Sequence, residues 1–408
     1  MGSASDCYFP FCYELFDMPT LKHIVFLSGN FPSRVHPNRG TFVRALVEAV
    51  AQQGVRCSVI HPWKVHEWLR ERGRDKGDGG GVIEGVRVYR PITLSLSSRR
   101  IGPTNTYRLT HGNFRRAVWR VLNRMRESPD ALYGHFLYSA GATAVWAAER
   151  LRLPSFVAVG EGGFGTVRPM GIERAKRDFA HLTGAIGVNR VLARRLIAEL
   201  GLPREKVKTF PNGVDLRAFH AHDRLAMRRK FALAQESFLV AYVGNFIASK
   251  GVQRVAQAID GLPGITGVFV GSGPLTPRIP NVAFCGRLEH KQVAEILSAA
   301  DCFVLPSDVE GSSNATLEAM ACGLPVVVSE GEFNDDIVTP QCAVRVPPLS
   351  VQAIREAILE LREESGRRKA LADGARQRAE QFDIQLRARR ILAWMEERVA
   401  VARPTCSV

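Results

Sequence analysis

The sequence predicts an α/β protein of two domains, each built on a parallel sheet, and three observations lead there. Its 408 residues suffice for two domains that each bury a core. Residues 22–61 alternate a short apolar run, a helical stretch and a second apolar run, a βαβ unit whose strands are parallel. Residues 303–328 follow the same logic in the second half, as strand, loop, helix and strand.

Taken in order, residues 22–28 form a buried strand, 29–40 a long loop, 41–53 a helix and 54–61 the next strand. No Gly-x-Gly-x-x-Gly follows the first strand, and Gly40 is the only glycine at the helix start, which weighs against a nicotinamide-dinucleotide fold. Residues 70–85 are charged and glycine-rich, a surface loop before the short strand 86–89. A helix is expected at 114–125, with Phe114, Val118, Val121 and Met125 on one stripe. Residues 130–141 are a strand running into a loop and helix, and His135 falls at its carboxyl end, where open α/β sheets bind ligands. Residues 153–163 form another strand and loop, and Pro211, Asn212 and Gly213 a linker turn. In the second half, strands are expected at 239–244 and near 267–273, a helix beginning at 334–338, and an amphipathic helix at 384–399 that puts Ile391, Leu392, Met395 and Val399 on one face.

Composition is that of an ordinary globular protein, 46% hydrophobic and 23% charged. Eight cysteines without Cys-x-x-Cys spacing read as reduced, buried thiols of a cytoplasmic protein. No apolar run approaches the ~18 residues that span a bilayer, so a soluble protein, or one peripheral at the inner face of the cell membrane, is expected. Residues 1–19 make a poor signal peptide and read as a disordered or non-native extension. A net charge of +15 calls for an anionic partner, for which nucleic acid, anionic lipid and a phosphorylated substrate all qualify. Nucleic acid is the weaker reading, since no recognised binding module appears. Residues 99–126 hold eight arginines and no acid, with Tyr107 and Trp119 interleaved. That segment suits an anionic membrane surface, with a solvated helix face as the alternative.

The chemistry concentrates at 303–328. Ser312, Ser313 and Asn314 are each competent caps for a helix that closes at Gly323 before Pro325. Free N–H groups and the positive end of the helix dipole make that terminus an anion site. Glu310 lies just before the helix and Glu318 about one turn inside it. Carboxylates do not bind phosphate, but they accept hydrogen bonds from hydroxyls, so a sugar on one side and a ribose on the other would use both.

Glu310-x7-Glu318, continuing as Glu-Ala-Met-Ala-Cys-Gly-Leu-Pro-Val-Val, resembles the donor-site motif of the family 4 retaining glycosyltransferases of the GT-B fold, of the bacterial polysaccharide and glycolipid type. The resemblance implies two Rossmann-like domains facing a cleft: an acceptor domain at 20–210, joined by a returning helix in 384–408, and a nucleotide-sugar donor domain at 211–383. It implies a UDP- or GDP-linked sugar as donor, a glycan or lipid-linked acceptor, retention of anomeric configuration, and neither metal nor other cofactor. Residues 243–251 resemble the loop in which an arginine and a lysine meet the diphosphate; Gly244 and Lys250 match, and Asn245 stands in place of the arginine. The segment 286–288, with Arg287 and Leu288, resembles the loop whose backbone reads the base. Gly40 carries over to a loop near the donor phosphate, and His135 to the sugar site. Glu161 stands where many members have His-Gly. The implied catalytic set is Glu310, Lys250, His135 and Glu161, and the donor is held by Glu318, Gly40, Gly244, Asn245, Arg287, Leu288, Ser313, Asn314 and Ala315. A paired-carboxylate hydrolase is the alternative for two glutamates, weakened because Glu318 lies within a helix.

Overall fold

Two parallel sheets carry the chain. The computed structural model describes residues 21–33, 36–71, 81–83, 85–96, 98–102, 104–160, 162 and 164–402; the expected extension at 1–19, Glu161 and most of the 70–85 loop lie outside them. The first sheet runs, edge to edge, Val207–Thr209, Gly184–Gly187, Ser155–Val159, Ala131–His135, His23–Leu27, Arg56–Ile60, Val86–Tyr89 and Gly81–Ile83. The second runs Val282–Gly286, Ile265–Val270, Phe238–Val243, Cys302–Leu305, Val326–Ser329 and Ala343–Val346, all parallel.

In each sheet the first strand lies inside, and the chain winds outward on one side before returning to the other. That reversal opens a crevice at the strands' carboxyl ends, between Leu27 and His135 in the first sheet and between Val243 and Leu305 in the second. The loops that carry Gly40, His135, Gly244 and Glu310 therefore leave from the two switch points.

The chain crosses between domains twice, and the crossings hold each other. Val214 N–H donates to the Phe382 carbonyl (2.9 Å) and Ile384 N–H to the Val214 carbonyl (2.9 Å). The returning helix Ile384–Ala402 then buries Ala388, Ile391, Trp394, Met395 and Val399 in the first domain's core, as the fold class requires. Across the cleft, Asn189 Nδ2 donates to the Gly311 carbonyl (2.5 Å), and Arg190 pairs with Asp336 (2.5 Å). Gly311 lies so close to the Gly160 carbonyl that a Cβ there would overlap it.

Several elements depart from expectation. The helix placed at 114–125 spans Tyr107–Leu122, because the Asn105 side chain accepts the Tyr107 N–H (2.9 Å) and starts it a full two turns early. Its buried face runs through His111, Phe114, Val118 and Leu122, leaving Val121 and Met125 partly exposed. No helix starts at 334–338. The Asn334 side chain instead donates to the Ser329 carbonyl (2.8 Å) after a single turn, Glu332–Asn334, and the strand Ala343–Val346 follows. Gly81–Ile83, read as loop, pairs antiparallel with Val86–Tyr89. Cys57, Cys302, Cys322 and Cys342 are buried thiols, whereas Cys285 is exposed.

Two predictions come from this packing. Gly311→Ala should overpack the domain contact and cost about 1–3 kcal/mol; an unchanged thermal melting curve would contradict the contact. Burial lowers the pKa of His61 and His111 to about 4 and of His135 to about 3, from an ordinary 6.5. Below pH 6.5 the unfolded chain binds protons there that the folded chain refuses, so stability should fall as pH drops from 6.5 to 5, above the carboxylate range. Urea unfolding across that window checks it, and His111→Phe should flatten the slope.

Candidate active site

The strand Cys302–Leu305 ends at Pro306, and a loop leads to the helix Asn314–Ala321. Of the three competent caps, Ser313 is the one used: its Oγ accepts the Thr316 N–H (3.2 Å). The Asn314 and Ala315 N–H groups at that end have no acceptor among the described residues. Ser312 and Asn314 are engaged by the linker, since Asn212 donates its N–H to Ser312 Oγ (2.9 Å) and its Nδ2 to Asn314 Oδ1 (2.9 Å).

Glu310 Oε1 accepts from Lys250 Nζ and from Ser307 Oγ (3.0 Å). Lys250 ends the short turn Ala248–Lys250, which Asp308 ties to the Glu310 loop by donating its N–H to the Ser249 carbonyl (2.8 Å). Arg254 braces the same junction through Asp308 (2.5 Å) and the Pro306 carbonyl (2.8 Å). A cation and a carboxylate 60 residues apart are thereby in contact beside a helix N-terminus.

A cavity of about 160 Å³ lies between the domains, lined on one side by Glu310, Gly311 and Asn314 and on the other by Phe42, His135 and Arg387. His135 is 5% exposed, boxed by the rings of Tyr133 (5.2 Å), Phe42 (6.2 Å) and Phe136 (6.5 Å). Burial first, and the Arg387 charge second, lower its pKa to about 3, so it is neutral at physiological pH. Its Nδ1 has no partner among the described residues. It is equipped to exchange a hydrogen bond with a hydroxyl, not to carry charge. Phe136, next in the chain, holds a positive φ of 69° where the strand breaks into the following helix.

Glu318 lies one turn beyond Asn314 on the same helix face. Its Oε1 is 3.4 Å from His290 Nε2. Partial burial alone would lower the His290 pKa, but the hydrogen bond and charge of Glu318 outweigh it and raise the value. Opposite, Asn38 Nδ2 donates to the Leu288 carbonyl (3.1 Å), joining the first domain's 29–40 loop to the Arg287–Leu288 loop. Gly40 closes that first loop with φ 66°, and a Cβ there would sit 2.5 Å from the Asn30 carbonyl. Gly244, Asn245 and Arg287 gather around a third loop: Gly244 packs on Gly271, and Arg287 Nε donates to Ser272 Oγ (2.7 Å). The Asn245 side chain is exposed, while its carbonyl accepts the Tyr242 hydroxyl (2.9 Å).

The fold thus gathers Glu310, Lys250, His135, Ser313, Asn314 and Ala315 at one point, and Glu318, Leu288 and the Gly40 loop at its rim. Sequence reasoning missed Phe42 and Arg387. Arg387 is 8% exposed, donates to the Pro211 carbonyl (2.6 Å), and has no carboxylate partner among the described residues. Its signal was present: a charged residue between Ile384 and Ile391 on the buried face of an amphipathic helix. Among the described residues no helix is long and apolar enough to cross a membrane.

Known proteins match this arrangement domain by domain. Residues 40–213 match the family described as glycosyl transferase 4-like domain, and residues 223–378 the family of glycosyl transferases group 1. The Bacillus subtilis protein TuaC, named as a teichuronic acid biosynthesis glycosyltransferase, is 26% identical over 82% of this chain and 88% of its own. A Mycobacterium tuberculosis protein named as a GDP-mannose-dependent alpha-(1-6)-phosphatidylinositol dimannoside mannosyltransferase is 29% identical over 76% of this chain and 86% of its own. The solved structure of Anabaena HepE in complex with UDP superposes with a TM-score of 0.71 at 15% identity, covering 92% of this chain and 100% of that one, a likeness of fold. With both domains matched and two parallel-sheet units closing on one cleft, the chain belongs to the family 4 glycosyltransferases of the GT-B fold.

Proposed function

We propose that this glycosyltransferase moves a sugar from a nucleoside-diphosphate donor to a glycan or lipid-linked acceptor, with retention of anomeric configuration. The observation that carries the reading is the Lys250–Glu310 contact beside two N–H groups at a helix N-terminus that have no acceptor among the described residues. When the bond from the anomeric carbon to the phosphate oxygen breaks, negative charge grows on the diphosphate. Lys250 and the Asn314 and Ala315 N–H groups are placed to stabilise it. The acceptor oxygen bonds to the anomeric carbon on the face the diphosphate leaves, and its proton passes to the departing phosphate oxygen. Glu310 and neutral His135 accept or donate hydrogen bonds to sugar hydroxyls, and Glu318 takes the ribose diol. Gly244, Asn245 and Arg287 border the diphosphate and base, and the Leu288 backbone meets the base. Arg387 supplies the full charge that Asn245 lacks. In this reading residues 20–210 with the returning helix form the acceptor domain and 211–383 the donor domain. GDP-mannose in a relative's name and UDP in a structural neighbour support a nucleotide donor and leave both bases as candidates.

Incubation with UDP- and GDP-sugars, read by proton NMR, should give a product whose anomeric configuration matches the donor's; an inverted product would sink the reading. In the same assay Glu318→Gln should raise the donor KM, since an amide offers one acceptor oxygen to the diol where a carboxylate offers two.

A peripheral membrane position is the second part of the proposal. Trp119 and Tyr107 turn inward, Trp119 stacking edge-on with Trp146 (5.2 Å), so they are not the interfacial aromatics. Leu94, Leu96 and Leu109 take that place, 60%, 45% and 60% exposed beside the basic helix. Each exposed cation near an anionic surface contributes on the order of 1 kcal/mol. The protein should co-sediment with anionic liposomes at low salt and release as salt rises, and replacing Arg116, Arg120 and Arg124 with glutamate should abolish this. Equal sedimentation with neutral liposomes would refute it.

A further inference from the structure

A second cavity, of about 510 Å³, opens in the first domain, lined by residues other than those of the cleft, and three arginines are among them: Arg100, Arg108 and Arg168. Ser98 and Asn105 add polar side chains to its lining, and among the described residues no carboxylate lines it. Among the described residues none of the three arginines has an ion-pair partner; Arg108 reaches only the Met170 carbonyl (3.4 Å) and Arg100 the Gly102 carbonyl (3.4 Å). Three like charges around one cavity repel each other, and an anion in the middle reverses the sign of that energy. Guanidinium forks and a serine hydroxyl match the oxygens of a phosphate.

The walls are held in place rather than free. On one side, Arg99 exchanges hydrogen bonds with Thr106, and Ser98 Oγ donates to Asn105 (3.1 Å). On the other, the turn that presents Arg168 is pinned by Phe164, Val167 and Met170, all buried in the core. That turn continues from Gly160 and Gly162, which touch the Glu310 loop across the cleft. Arg168 follows Gly162 by six positions, so the cavity wall and the cleft contact belong to one stretch of chain. Leu94, Leu96 and Leu109 lie exposed alongside, Leu109 next to Arg108 on the same helix.

We propose that this arginine cavity is an anion subsite of the acceptor domain that binds a phosphate group of the acceptor, at a distance from the hydroxyl that receives the sugar. It deepens the transferase reading and rests on it: the acceptor is then a phosphorylated molecule, and the leucines lie where a lipid bearing that phosphate would run.

Isothermal titration with inorganic phosphate, and sedimentation with phosphatidylcholine vesicles with and without phosphatidic acid, test it on the full chain. The variant Arg100→Gln/Arg108→Gln/Arg168→Gln changes exposed side chains only, and its melting curve checks folding; Arg168→Gln alone is the milder companion. Phosphate binding should weaken at least tenfold in the triple variant and persist in Lys250→Ala. Loss in Lys250→Ala with retention in the triple variant places the ion in the donor cleft and overturns the proposal, as does binding of neither probe. Vesicle binding that depends on phosphatidic acid and on the three arginines assigns the phosphate to a lipid; binding of free phosphate alone assigns it to a soluble acceptor. Nucleoside-diphosphate binding, titrated in parallel, separates the two readings. If it survives while phosphate binding is absent, the subsite alone fails, and if it is absent while the arginines bind phosphate, the donor site fails.

Discussion

The two domains approach until the backbone of residue 311 meets the backbone of residue 160, and the site depends on that contact. A side chain at Gly311 would hold the Glu310 loop off, and the Asn189 hydrogen bond to the same residue would lengthen. Because the loop also carries Glu310 and runs into the helix cap at Ser313, its position fixes where a carboxylate and a helix N-terminus point. The paired crossings at Val214 and Phe382–Ile384 tie the two connections between the domains to each other. Asn212, on the outgoing crossing, bonds directly to Ser312 and Asn314. Linker and site are therefore one mechanical unit.

Electrostatics inside this cleft differ from those on the surface. Arg387 is buried without a carboxylate partner among the described residues, and burial lowers its pKa, as expected for a cation taken from water. The same desolvation holds His135 neutral. With His135 neutral and the Lys250 and Glu310 charges paired, Arg387 gives the cleft a net positive character suited to an anion, in surroundings where each charge counts for more than in water. The second domain uses a buried ion pair differently. Arg228, 1% exposed, binds Asp301 (2.7 Å) and the Ala299 and Ser237 carbonyls (3.0 Å each). Asp301 in turn accepts the Leu239 N–H (2.7 Å). Each guanidinium nitrogen of Arg228 and each carboxylate oxygen of Asp301 has a hydrogen-bond partner, the condition under which such a pair is tolerated.

What the sequence by itself determined was local. Alternation of apolar runs with helical stretches located most strands of both sheets to within two or three residues but passed over Gly81–Ile83, Val282–Gly286 and Ala343–Val346, and the serine cap and Gly323 bounded the central helix. Lys250 and Glu310, 60 residues apart, came to one site in the sequence reading only through the family resemblance of the two motif strings that carry them. Where a side chain competed with that pattern the reading slipped: Asn105 started a helix early and Asn334 stopped one from forming.

Only the tertiary structure decided what depends on residues far apart in the chain. Arg387 comes to the cavity from 77 positions beyond Glu310, and Phe42 and His135 from the other domain. Neither Trp119 turning onto Trp146 nor the convergence of Arg100 and Arg108 with Arg168 is written in any local period. Periodicity records which face of an element is buried, and it carries no information about which other element covers that face. That choice is made when two switch points close on each other, and the charges of the site acquire their meaning only there.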